Sequence, residues 1–266
     1  MIEFKKVITL STTASIALTL FSLPAYADNI SAVQETQISS PAQNDVSNIF
    51  DKQNLVVTYE AQEITDLKEL EKRAEEGISD LSTDEISSAP NIQLDLGSSD
   101  ENTKVIRTAQ ILQTAQNEDG IILNKVAITS FSYDESKYSS GNDSTLGNKA
   151  YSTIYIDDWF DPRGVKYWDL QHVSGGWALD SGVSISSGTI TAGQSGATYG
   201  RVGFSQNKTW NVSGTTFSYD VPPSWEPVTS NGGSGILSTV VGVSTKVNYK
   251  KGTTTWSHSL TNNFTS

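Results

Sequence analysis

The side chains able to do chemistry are few and unevenly placed. Three carboxylates, Asp157, Asp158 and Asp161, fall within five residues and lead into the turn sequence Pro162-Arg163-Gly164. Hard oxygen ligands gathered in a Pro/Gly turn suit a calcium ion, so this cluster is the candidate metal site, although it has neither EF-hand spacing nor a glycine-rich calcium repeat. The competing reading is a solvated acidic turn in which Arg163 neutralises one carboxylate. Glu226 stands between Trp225 and Pro227 in SYDVPPSWEPV. A polysaccharide hydrolase needs two carboxylates roughly 5–9 Å apart, and Glu226 with an aspartate is the pair to consider. The same stretch also reads as an irregular crossover, with Pro222, Pro223 and Pro227 kept out of strands and Trp225 as its plug.

Nucleophilic catalysis has weaker support. The two histidines are His172 and His258, and a Ser-His-Asp triad needs its serine on a strained elbow or an equivalent oxyanion site. The nearest strings, Gly193-Gln194-Ser195-Gly196-Ala197 and Gly232-Gly233-Ser234-Gly235, do not fit G-x-S-x-G. Cysteine is absent, which removes thiolate chemistry, cysteine-ligated zinc and disulfides.

All six tryptophans lie between Trp159 and Trp256. Most such rings fill cores, but Trp159 and Trp225 lie in turn-like sequence. Together with Tyr219 and Glu226 they are the candidate ligand-binding set, because an exposed ring with polar neighbours stacks on a sugar.

The elements that must position these groups sit in a chain of two textures. Residues 1–27 read as a secretory signal peptide: Lys5 and Lys6, an apolar stretch, then Ala25-Tyr26-Ala27. Beyond it no run approaches the ~20 apolar residues of a membrane span, so the expectation is a secreted, extracellular chain without a stable membrane anchor. Residues 28–120 carry 19 acidic and 6 basic side chains, against 10 of each in residues 121–266. The exported net charge of −13 disfavours nucleic acid, which needs a basic patch.

The acidic segment is expected to be an arm, linker or propeptide, disordered near residues 28–54, with helices near 62–76 and 103–116. The first helix is well marked: Ile64, Leu67, Leu70, Ala74 and Ile78 share a face, and Gly77 is placed to end it. Leu55–Tyr59 (LVVTY) also reads as a short strand. Residues 121–266 break into short Val-, Ile-, Thr- and Tyr-rich runs separated by Gly, Ser, Asn and Asp. That texture predicts an all-β domain, an antiparallel sandwich of about eight strands. The strongest alternation runs from Leu237 to Tyr249, and Lys250-Lys251-Gly252 turns it back as a hairpin.

Aromatic richness without a catalytic constellation makes the leading expectation a non-enzymatic extracellular protein that binds a surface ligand, a carbohydrate such as a polysaccharide. The alternatives are a polysaccharide-acting hydrolase using Glu226 and an aspartate, or a secreted toxin or bacteriocin-like protein. For the last, the Ser/Thr/Gly alternation of residues 182–200 fits a membrane-inserting hairpin whose apolar set is thin.

Overall fold

The computed structural model describes residues 54–82, 104–133, 148–198, 203–229 and 239–265. The expected signal peptide, the arm up to residue 53 and residues 83–103 of the acidic segment lie outside these ranges. Two antiparallel sheets pack face to face. The first has the order β1(Val56–Glu60), β2(Lys104–Gln116), β3(Ile122–Tyr133), β4(Lys149–Phe160), β5(Lys166–Ala178) and β8(Thr216–Asp220), with the short β9(Val228–Thr229) also paired to β5. The second has the order β11(Thr254–Thr265), β10(Val240–Lys251), β6(Ser184–Gly196) and β7(Phe204–Asn211). The expected antiparallel sandwich is therefore present, with eleven strands among the described residues.

Alternation explains the packing. Val241, Val243, Thr245, Val247 and Tyr249 of β10 are all buried and meet Ile154, Ile156, Trp168, Leu170 and Val173 from the opposing sheet. Trp168 lies against Phe264 with ring centroids 4.4 Å apart. Gly242, also on β10, marks a close approach: a Cβ there would lie 2.4 Å from the Asn262 carbonyl oxygen. The β10–β11 hairpin closes where expected, with Lys251 opposite Thr254 and Gly252 at φ 59°.

Two expectations about the acidic segment need correction. Residues 103–116 were expected to be helical, but Lys104–Gln116 is a strand, paired along its length with β3. The sandwich accordingly begins at Val56 rather than Ile121, since β1 pairs with the end of β2. The expected helix at 62–76 is present as α1(Leu67–Glu75). Asp66 caps it by accepting from the Lys68 N–H at 2.9 Å, and Gly77 follows it at φ 68°.

This helix packs on the outer face of the first sheet. Leu70 and Ala74 are buried against Phe131, and Glu71 accepts hydrogen bonds from the Tyr133 hydroxyl and the Lys149 ammonium. Gln110 holds the approach to the helix at both backbone groups of Ile64, at 2.9 and 3.2 Å. Beyond the helix, Asp80 N–H donates to the Ala109 carbonyl and Thr108 Oγ1 to the Ile78 carbonyl.

Candidate functional site

The three candidate metal ligands do not converge. Asp157 and Asp158 are neighbours on β4, so their side chains leave opposite faces of the sheet. Asp158 pairs with Lys166 at 3.1 Å. Asp161 ties its own turn: its Oδ1 accepts from the N–H groups of Arg163 and Val165, both at 2.9 Å, and its Oδ2 accepts from the Arg163 guanidinium at 2.6 and 2.8 Å. No group of three or more metal-ligating side chains occurs among the described residues. The calcium site expected at Asp157, Asp158 and Asp161 is corrected accordingly, because strand alternation separates two of the carboxylates and Arg163 satisfies the third.

Burial alone would raise the Asp161 pKa, but the hydrogen bonds from Val165 and Arg163 outweigh it and hold the carboxyl below its ordinary value. A depressed carboxylate stabilises the fold above the unfolded pKa of about 3.9, and this contribution fades as pH falls through the folded value. Asp161→Asn is therefore expected to lower the urea midpoint at pH 7, with the gap closing below about pH 4. An equal gap at both pH values would contradict this account.

The candidate ligand-binding aromatics are also placed differently from expectation. Trp159 is buried within β4 rather than displayed in a turn, stacked on Tyr167 at 5.7 Å beside Leu123. Tyr219 faces inward from β8 and stacks on Trp210 of β7 at 4.6 Å, joining the edges of the two sheets. Trp225 packs half-buried against the main core. Its neighbour Glu226 is clamped through the backbone: its carbonyl accepts from Gln194 and Gln206 at 2.8 and 2.7 Å, and its N–H donates to Gln206 at 2.6 Å. The fully buried Gln194 also accepts from the Leu170 N–H at 2.9 Å. The expected crossover is thus anchored by two glutamines, and the four residues do not form one open platform.

The histidines separate as well. His258 is buried between the sheets, 2.6 Å from Ser132 Oγ. His172 lies on the outer face of the first sheet, where cross-strand registers set up rows of polar groups. Gln113, Lys125, Asp157 and Asp169 occupy one row; Gln110, Ala127, Tyr155, His172 and Asp220 the next; Thr108, Thr129, Thr153, Ser174 and Ser218 a third. A bulge at Gln171 makes the second row possible. Leu170 pairs with Ile156 and His172 with Tyr155, so the extra residue lets Leu170 enter the core while His172 stays outside.

The first of these rows, with Tyr155 of the second, borders an open groove of about 470 Å³. Leu55 and Val57 form its apolar wall, and Lys125, Tyr155, Asp157 and Gln171 are among its polar lining. The Tyr155 hydroxyl donates to Glu63 at 2.7 Å, and its ring stands edge-on to His172 with centroids 5.4 Å apart. Burial, reinforced by that hydrogen bond and the Glu63 charge, pushes the phenol up to about 12, so it remains a donor. At His172, Nδ1 lies 2.7 Å from Asp220 Oδ1 and Nε2 lies 2.9 Å from Ser218 Oγ.

Sequence reasoning missed both the groove and this trio. Ser218 and Asp220 two apart on a strand was a visible signal that they share a face, but nothing local identified β5 as their neighbour. Among the described residues, no helix is long and apolar enough to cross a membrane. No family model, curated protein or solved structure matches the chain.

Proposed function

We propose that the protein is an extracellular β-sandwich that binds a surface carbohydrate in the groove on the outer face of its first sheet. The supporting observation is the groove's mixture of groups. Lys125 donates, Asp157 accepts and Gln171 can do both, while Leu55, Val57 and the Tyr155 ring offer surfaces to the C–H faces of a sugar. A pyranose presents the same mixture, with hydroxyls at its rim and aliphatic hydrogens on its faces. The aromatic contribution comes from Tyr155 rather than from Trp159, Trp225 or Tyr219, which pack within the molecule.

Affinity electrophoresis through cell-wall and plant polysaccharides tests this reading. Retardation by at least one polymer is expected, and Lys125→Ala combined with Gln171→Ala should weaken it about tenfold or more, consistent with the loss of two to three hydrogen bonds. Unretarded migration through every polymer, or wild-type retardation of the double variant, would refute it.

A further inference from the structure

We propose that Ser218, His172 and Asp220 form a nucleophilic site on the outer sheet face, with Ser218 accepting the acyl group of a small ester carried on a carbohydrate. The carbohydrate part of this substrate rests on the groove-binding reading; the nucleophile rests on the trio's own geometry.

The fold sets the three residues in hydrogen-bonding order. Asp220 stands directly across from His172, and Ser218 lies two residues earlier on the same face of β8. The ladder bonds Val221 N–H to Gln171 O at 3.1 Å and Trp177 N–H to Thr215 O at 2.8 Å. Counting alternately between these two positions makes His172–Asp220 and Ser174–Ser218 non-hydrogen-bonded pairs, the type whose side chains approach closest. A carboxylate only accepts, so in the form of the site where Asp220 is ionised and His172 neutral the 2.7 Å contact puts the single ring hydrogen on Nδ1. Nε2 is then the lone-pair nitrogen, and the 2.9 Å contact is a hydrogen bond donated by the Ser218 hydroxyl. This is the donor and acceptor order by which a histidine activates a serine.

The same ladder supplies an oxyanion donor. At a non-hydrogen-bonded position, Ser218 N–H points away from β5, and β8 is the last strand on that side among the described residues. The Ser218 side chain is exposed on an open sheet face, which admits an acyl group at the end of a bulky polymer. Tyr155 and Gln171 line the groove and flank His172, in ring contact and in sequence respectively, so a bound chain has a route to Ser218.

In the acyl-transfer step, Ser218 Oγ bonds to the ester carbonyl carbon as its proton passes to His172 Nε2. The tetrahedral oxyanion collapses, the bond to the sugar oxygen breaks, and that oxygen takes the proton from Nε2. Water then attacks the acyl-serine, giving its proton to Nε2, and collapse returns the proton to Ser218 and releases a carboxylic acid. Asp220 is a positioning residue, holding the imidazole in the tautomer that can receive the proton.

The full-length secreted protein treated with a fluorophosphonate probe, read by peptide mass spectrometry, tests the nucleophile. An adduct on Ser218 is expected, absent in Ser218→Ala and slowed about 10²-fold or more in His172→Gln. Asp220→Asn should slow labelling and Asp220→Glu should restore part of the rate, a rescue that a purely structural contact would not give. No adduct on Ser218, or undiminished labelling of His172→Gln, would overturn the proposal. Acetate release from an acetylated xylan, lost in Ser218→Ala, is the expected second result. Labelling without acetate release from acetylated polysaccharides would overturn the sugar-ester assignment. Because Ser218 does not line the groove, electrophoretic retardation of Ser218→Ala separates failure of this chemistry from failure of sugar binding.

Discussion

Leu70→Asp is expected to lower unfolding stability by about 3–5 kcal/mol, a large share of the roughly 5–15 kcal/mol that holds a typical domain together. Leu70 is 4 % exposed and lies with Ala74 against Phe131, which is itself 1 % exposed. The substitution removes most of a buried leucine's packing and asks a carboxylate to enter an apolar contact already beside Glu71. Undocking α1 would relieve that burial but expose Phe131 and Ile106, so either response is destabilising. Urea unfolding followed by tryptophan fluorescence measures the effect, because all the tryptophans belong to the sandwich. If residues 54–82 were a spacer or a detachable propeptide, the midpoint would not move. Trypsin provides a second readout: Lys72 and Arg73 lie within the docked helix, so Leu70→Asp should be cut there faster than wild type.

Trp168→Ala should cost a comparable 3–5 kcal/mol for a different reason, a cavity at the centre of the sandwich. Trp168 is 3 % exposed, belongs to the main core and touches Phe264 across the two sheets. Neighbouring strands cannot close around the vacancy, because their spacing is fixed by ladder hydrogen bonds on both sides. Its indole N–H has no hydrogen-bond partner among the described residues, so Trp168→Phe removes an unsatisfied donor along with part of the ring. The phenylalanine variant is therefore expected to lose less than half as much stability as the alanine variant. Equal midpoints for Trp168→Ala and wild type, at an unchanged denaturant slope, would show that the ring does not join the sheets.

The fold was legible where its signal was local. Val241, Val243, Thr245, Val247 and Tyr249 alternate with more polar neighbours, and the period-2 pattern is sufficient because every other side chain enters one core. The apolar stripe and Gly77 marked α1 for a similar reason, because helical spacing and a terminating glycine act within a few residues; the Asp66 cap, which starts the helix at Leu67 rather than near residue 62, came from the structure. Lys104–Gln116 has a helix-compatible composition of Ala, Gln, Leu and Ile, and its strand conformation comes from pairing with β3 and β1. Trp159 looked exposed because Asp, Pro and Gly follow it, yet the turn begins just beyond the residue that packs on Tyr167.

The site was less legible than the fold. Asp157, Asp158 and Asp161 are close in sequence, but alternation and the Arg163 hydrogen bonds separate their roles in space. His172 and Ser218 are 46 residues apart and meet through one register. That register depends on the Gln171 bulge, which lets Leu170 face inward and His172 outward.

The sequence by itself determined the class of fold, the presence of the helix and the main core strand, because alternation, helical spacing and turn chemistry are short-range properties. Tertiary structure decided that the acidic segment contributes to the sandwich, that the tryptophans mostly fill it, and that a groove and a Ser-His-Asp trio share its outer face. Those outcomes depend on which strands become neighbours and in what register, and hydrogen bonds between distant segments carry that information.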